Sequence, residues 1–238
     1  MTGRIHSLQS LGTLDGPGVR AVVFAAGCPL RCIYCHNPDT WQKSDGEVWD
    51  SEKVVEKVMR LYPYIKNGGV TFSGGEPCAQ AQFFCEVASA LRERGVHIAL
   101  DTSGAVYNDD VKQLLDKTDL VLLDIKFTDE DAYKRGTGAS LLSVLDFLRR
   151  LDGMNKPVWI RHVVVPDLND SEKNIRLLAS LISPYKCIEK VELLPFKKLC
   201  LEKYERLGID FPLKDTPELS KVRLAELQSV LDSLLDQK

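Results

Sequence analysis

A chain of 238 residues, 44% of them hydrophobic, suits one sizeable domain, and an α/β barrel of this length need not divide. A formal net charge of -3 offers no footprint for nucleic acid or for an anionic membrane surface. No apolar run approaches a membrane span, and Met-Thr-Gly-Arg-Ile-His has no signal-peptide character. Seven cysteines, three of them crowded into one loop, point to a reducing cytoplasm and away from an oxidised secreted scaffold.

Residues 1–18 read as an irregular opening that ends in a tight turn, Asp15-Gly16-Pro17-Gly18. A strand runs from about Val19 to Ala26, and the loop GCPLRCIYCHNPDTW follows, from Gly27 to Trp41. Ser51 is placed to cap a helix from about Glu52 to Leu61, with Pro63 just past its end. Strands and helices then alternate. VTFSG is a strand, AQFFCEVASALRERG a helix ended by Gly95, and VHIALD a strand. A helix near Asp109–Lys117, the strand DLVLLDI and a helix near Leu141–Leu151 come next. VWIRHVVVP, a helix around Ser171–Ser183, KVELLP and an amphipathic helix from Pro217 to Leu235 complete the chain. This alternation argues a parallel sheet with right-handed crossovers. Six strand–helix units are too few for an eight-fold barrel, and without a linker residues 1–238 read as a single domain.

The chemistry concentrates in a few places. Cys28, Cys32 and Cys35 form a C-x3-C-x2-C pattern, and thiolates favour iron–sulfur clusters, zinc or copper. Three cysteines would leave one iron of a cubane without a protein ligand, an open position for a substrate. A structural zinc with His36 as fourth ligand is a second reading, and three unrelated buried thiols a third. Cys78, Cys85, Cys187 and Cys200 lie apart and read as ordinary buried thiols, although Cys78 follows a functional loop and could lie near the cluster. Ser73-Gly74-Gly75-Glu76-Pro77 follows a strand, where two glycines let the backbone approach a ligand closely and Glu76 could receive an ammonium group, a plain strand-to-helix turn being the alternative. Asp101 and Asp124 end neighbouring strands, which suits either helix caps or a shared hard cation. Arg161 lies within an apolar strand and requires a carboxylate partner.

The cysteine loop, with Tyr34 before its third cysteine, resembles the signature of the radical S-adenosylmethionine (SAM) superfamily. GRIHSLQSLGTLDGPGVR, CIYCHNPDTW, SGGEP, LDTSG, LLDIK, WIRHVVVP and ELLPF together resemble the pyruvate formate-lyase activating enzymes over nearly the whole chain. That resemblance implies an incomplete TIM-like barrel holding a [4Fe–4S] cluster on Cys28, Cys32 and Cys35. It places SAM against Tyr34, His36, Asn37, Gly74, Gly75, Glu76, Asp124, Ile125, Lys126 and Arg161. It also implies a monovalent cation on Asp101, Thr102, the Leu122 carbonyl and Asp124. Lys197 stands where the family has a histidine near the adenine, and lysine cannot copy imidazole. The implied reaction passes one electron into the sulfonium of SAM, and the resulting 5′-deoxyadenosyl radical takes a hydrogen atom from a backbone glycine of pyruvate formate-lyase. Flavodoxin or ferredoxin would supply the electron, and Asp15–Gly18 would flank the peptide groove beside the cysteine loop.

Three other readings stand beside this one. Activases of other glycyl radical enzymes often carry an inserted ferredoxin-like segment, which is missing between Asp39 and Glu52. A radical SAM enzyme acting on a small molecule would need no protein acceptor. A noncatalytic metal-binding or electron-transfer module would need a fourth cluster ligand.

Overall fold

The computed structural model describes residues 1–235, and its contacts divide the chain into two compact units. One comprises Met1–Pro29 and Asp39–Leu122; the other comprises Leu30–Pro38 and the chain from Leu123 onward. Among the described residues, eight strands and eight α-helices make a mixed α/β fold.

The first unit opens on β1 (Thr2–Gly12), antiparallel to both β2 (Arg20–Ala25) and β3 (Glu47–Asp50). From β2 the pattern expected of strand–helix repeats sets in. Helix α1 (Ser51–Ile65), β4 (Gly69–Gly74), α2 (Ala81–Arg92), β5 (Ile98–Thr102), α3 (Asp109–Asp116) and β6 (Leu120–Asp124) follow one another. β2, β4 and β5 pair in parallel. Their residues are buried on both faces, as parallel strands covered by helices require. Phe72 of β4 meets Phe84 of α2 at 4.8 Å between ring centroids.

In the second unit come α4 (Glu130–Thr137), α5 (Leu141–Gly153), β7 (Val158–Val164), α6 (Glu172–Ile182), β8 (Ile188–Pro195), α7 (Leu201–Leu207) and α8 (Lys221–Leu235). β7 and β8 are parallel, and the buried stripe of α6 (Ile175, Leu178 and Ile182) faces α8 with its Leu227 and Leu231. The six predicted strand–helix units are therefore present. Among the described residues no helix is long and apolar enough to cross a membrane.

Several features depart from the sequence reading, among them the short β3 and α7, which it does not contain. β1 occupies what reads as an irregular opening, because its half-exposed positions give no continuous apolar run. The cap of α1 is Asp50, whose carboxylate accepts from the Lys53 amide at 2.6 Å, and Ser51 is already helical. Pro63 lies inside α1, whose last turn continues to the buried Ile65. Helix α4, short and mostly polar, is absent from the periodic pattern; Asp129 caps it by accepting from the Ala132 amide.

Arg20, at the start of β2, is fully buried. Its Nε donates to Thr71 Oγ1 at 2.7 Å, and Nη2 donates to the Val70 carbonyl at 2.6 Å and to His97 Nδ1 at 3.1 Å. Nη1 donates to the carbonyls of Pro17 and Gly68. Burial lowers the guanidinium pKa to about 10 against the opposing pull of Asp15 and Asp119. Thr71 Oγ1 in turn donates to the Asp15 carbonyl at 2.6 Å, so the Asp15–Gly18 turn is pinned at the entry end of β2. Cys28 follows the exit end, roughly 20 Å away along a six-residue strand.

Replacing Arg20 with methionine strands several buried carbonyls, each costing about 1–3 kcal/mol when left without a donor. Urea unfolding of Arg20→Met should show a loss of about 3 kcal/mol or more, and Arg20→Lys should recover part of it. A midpoint unchanged in Arg20→Met would show that this buried cation does not hold the strand entries together.

Candidate functional site

At the exit of β2 two loops of the first unit run main chain against main chain. Gly27 (φ 98°) donates to the Thr40 carbonyl at 2.8 Å, and the Cys28 amide donates to the Trp41 carbonyl at 3.1 Å. The Gly75 and Glu76 amides donate to the carbonyls of Ala25 and Gly27, both at 2.9 Å. A Cβ on Gly75 would stand 2.4 Å from the Gly27 oxygen, and one on Gly74 (φ 105°) 2.5 Å from the Ala25 nitrogen. Both glycines are thus required by the close approach of the protein's own main chain, where the sequence reading expects a ligand.

Glu76 is almost wholly buried, and protein donors occupy both carboxylate oxygens. Oε1 accepts from the Cys78 amide at 3.0 Å and from Thr102 Oγ1 at 2.7 Å. Oε2 accepts from the Ser103 amide at 2.9 Å and from Ser103 Oγ at 2.5 Å. A carboxylate has about four acceptor positions, so what Glu76 offers an ammonium group is charge and not a vacant oxygen. It ties the loop after β4 to the end of β5. Ser103, missed from sequence, enters through this carboxylate, as does Cys78. Gln80 is a further addition: its Nε2 donates to the carbonyls of Arg4 and Ala26. Asp101 accepts from Ser73 Oγ at 2.6 Å, and Leu122 is fully buried.

Leu30–Pro38 belongs to the second unit, and α4 supplies its support. The last carbonyls of a helix lack intrahelical partners. Those of Gly136 and Thr137 accept from the Ile33 and Arg31 amides, each at 2.9 Å. Gly136 is needed here because a Cβ would lie 2.2 Å from the Phe127 ring. Cys35 closes a turn on the Cys32 carbonyl at 3.0 Å. Tyr34 is buried, its ring 5.8 Å from that of Phe127, and its hydroxyl donates to the Lys126 carbonyl at 3.2 Å. Burial pushes the Cys32 thiol up to about 11, with Lys126 opposing the shift.

Asp124, Lys126 and Arg161 form the polar centre of this unit. Lys126 Nζ stands 2.8 Å from Asp124 Oδ2, and Arg161 Nε stands 3.6 Å from Asp124 Oδ1. Arg161 thereby has the carboxylate partner that its strand position demands. Burial alone would raise the Asp124 pKa, but Lys126 and Arg161 outweigh it and hold the carboxyl below its usual range. Lys126 is correspondingly held charged: burial opposes its ammonium, and Asp124 more than compensates. Ile125, between them, is fully buried; its amide donates to the Arg161 carbonyl at 3.0 Å.

His36 Nε2 donates to the Lys197 carbonyl at 2.7 Å, and Asn37 Oδ1 accepts from Lys203 Nζ at 2.8 Å. The Lys197 ammonium pairs with Glu218 at 2.9 Å, and the other Glu218 oxygen accepts from the Lys198 amide. Lys197 thus meets the site loop through its main chain, while its side chain fastens the segment before α8.

Among the described residues no three His, Cys, Asp or Glu side chains stand grouped as a ready metal site. The donor chemistry nevertheless fits an iron–sulfur cluster. All seven cysteines are thiols, and the three in the loop are half-buried, whereas Cys78, Cys187 and Cys200 are buried. The carboxylates and hydroxyl expected to share a cation divide between the units: Asp101 and Thr102 fall in the first and Asp124 in the second.

Comparison with known proteins places these features. Residues 14–142 match a family described as a 4Fe–4S single cluster domain. The chain is 46% identical over 236 residues to a pyruvate formate-lyase-activating enzyme of Clostridium pasteurianum, covering 98% of this chain and 99% of that one. It is 42% identical over 224 residues to the enzyme of the same name from Staphylococcus aureus, covering 90% and 89%. SuiB of Streptococcus suis, solved with its precursor peptide SuiA, shares the fold at a TM-score of 0.71 and 16% identity, over 91% of this chain and 46% of that one. Its likeness carries the architecture alone, the incomplete TIM-like barrel of radical SAM enzymes. Motifs, fold and relatives agree, and the chain belongs to the pyruvate formate-lyase-activating enzyme family of radical SAM proteins, which carry a [4Fe–4S] cluster and use SAM.

Proposed function

We propose that this protein activates pyruvate formate-lyase by generating a glycyl radical in its backbone, using SAM and a [4Fe–4S] cluster. The observation that carries this reading is the near full-length identity of 46% to a relative of that name. Cys28, Cys32 and Cys35 would hold the cluster, which when bound supplies the electron that cleaves SAM. The chain's own residues bind, orient and exclude water. Lys126, held charged beside Asp124, is suited to the methionine carboxylate, with Arg161 fixing that pair. The half-buried main chain at Gly74 and Gly75 suits the amino group, with the Glu76 carboxylate behind it. Tyr34, His36 and Asn37 hold the cysteine loop against the second unit's own main chain and side chains. The Lys197 side chain is committed to Glu218, so adenine would be met at this position by the backbone.

A glycine buried in the folded partner would have to be presented by local opening of that partner. A flavodoxin or ferredoxin in an anaerobic cytoplasm is the proposed electron source. A monovalent cation on Asp101, Thr102, Leu122 and Asp124 is proposed with SAM; dependence of SAM affinity on potassium or sodium tests it.

Each cluster ligand is expected to be indispensable. Cys28→Ala, Cys32→Ala and Cys35→Ala should lose bound iron and sulfide and all SAM cleavage, while Cys85→Ala and Cys187→Ala keep both. Stoichiometric zinc in anaerobically prepared protein would contradict this assignment. Lys126→Met should weaken SAM binding by about tenfold or more, the scale of one charged hydrogen bond at about 1.5–3 kcal/mol. Anaerobic titration calorimetry measures it, and parental affinity would remove Lys126 from the SAM site. Incubating reduced protein with SAM and pyruvate formate-lyase should produce a glycyl radical signal in electron paramagnetic resonance. SAM cleavage with no such signal would refute the activase reading.

A further inference from the structure

Beyond Tyr34, a second clamp acts on the segment that carries Lys126. His162 lies on the face of β7 opposite Arg161 and is fully buried. Its Nδ1 stands 2.5 Å from the Ile125 carbonyl. A carbonyl only accepts, so Nδ1 carries the proton and Nε2 presents a lone pair. That lone pair faces the amide nitrogens of Asn174 at 3.1 Å and Asn169 at 3.3 Å. Asn174, in the first turn of α6, accepts from Thr128 Oγ1 at 2.6 Å. Asn169 donates to the Val163 carbonyl at 2.9 Å and accepts from the Val165 amide at 2.6 Å. Burial lowers the His162 pKa to about 4, against the pull of the Ile125 bond, so the ring is neutral throughout the physiological range.

This network begins and ends on one stretch of main chain. Ile125 gives its amide to Arg161 and its carbonyl to His162, while Thr128, three residues on, binds Asn174. Lys126, between them, has its carbonyl held by Tyr34. β6 ends at Asp124, and past the Ile125 amide, which still meets β7 at Arg161, side chains take over from the sheet ladder: His162 and Tyr34 hold the Ile125 and Lys126 carbonyls.

We propose that His162, with Asn169, Asn174 and Thr128, is a positioning device for SAM: by fixing the Ile125 carbonyl it aims the Asp124 and Lys126 side chains at the methionine moiety. The proposal rests on the assignment of Asp124 and Lys126 to SAM made above. His162 touches no reacting atom and acts through the main chain. A ring held as a single neutral tautomer suits this task, because it donates and accepts at fixed places without adding charge beside the Asp124–Lys126 pair.

The test compares SAM binding by cluster-loaded variants, measured anaerobically by calorimetry, with the change in the reduced cluster's resonance spectrum on adding SAM. His162→Phe removes the donor and should raise the SAM dissociation constant about tenfold, the scale of a buried hydrogen bond. His162→Gln, which keeps an N–H, should recover much of that loss. Thr128→Val removes only the outermost bond and should fold normally with a few-fold weaker affinity. Val111→Ala, in α3, controls for general destabilisation and should leave SAM affinity at the parental value. Parental affinity in both His162→Phe and Thr128→Val, with Lys126→Met impaired, overturns the positioning role and leaves the SAM assignment standing. Parental affinity in Lys126→Met as well removes the assignment, and the inference with it.

Discussion

The second unit's site depends on one constraint: main chain that has left a sheet must still satisfy its buried polar groups. When β6 stops at Asp124, the carbonyls of Ile125 and Lys126 lose the ladder that would have paired them. One finds the His162 ring and the other the Tyr34 hydroxyl, a residue of the cysteine loop itself. Satisfying the backbone and placing the functional groups are therefore the same act. Asp124 and Lys126 project from a segment that cannot shift without stranding a carbonyl, and Cys32 and Cys35 flank the tyrosine that helps hold it. The cost of an unmade buried hydrogen bond is what makes the site rigid.

The first unit solves an equivalent problem with glycine and a carboxylate. Its two loops approach so closely that even a methyl group at Gly75 would collide with the Gly27 carbonyl. Glu76 then collects donors from Cys78, Thr102 and Ser103, joining the ends of β4 and β5. A buried anion is tolerable when its lone pairs are filled. The Asp124–Lys126 pair uses the other route, in which a neighbouring cation offsets the desolvation of the carboxylate. Both devices leave fixed charge at strand ends, where α/β barrels gather their chemistry.

Most of this was legible in the residues, for reasons that also explain what was not. Strands covered on both faces read as continuous apolar runs, so the six strand–helix repeats were visible in stretches such as DLVLLDI. β1 has half-exposed positions along its length, and its pairing with β2 and β3 is set by tertiary contact. Helix α4 buries Tyr133, Gly136 and Thr137, too few apolar positions for a periodic signal, although Asp129 with Glu130 and Asp131 in the first turn marks its start. The cysteines, Gly74, Gly75 and Arg161 were legible because their chemistry or sterics are nearly unique to their residue types. Glu76 and Lys197 stand out in the sequence by their motifs, but their hydrogen-bond partners, such as Ser103 and Glu218, lie far off along the chain. His162 carried no signal at all: in WIRHVVVP it is one polar residue in a buried strand, and only the fold shows that it faces Ile125.

The central claim is that the hydrogen acceptor chemistry of this family is directed here at a protein backbone. It is tested most directly with pyruvate formate-lyase carrying deuterium at the α-carbon of its radical-bearing glycine. Reduced, cluster-loaded protein and SAM are added anaerobically, and the 5′-deoxyadenosine formed is examined by mass spectrometry. The account predicts deuterium in the 5′ methyl group, with none from a metabolite labelled in its place. Unlabelled 5′-deoxyadenosine from every protein acceptor, together with label acquired from a small molecule, would contradict it.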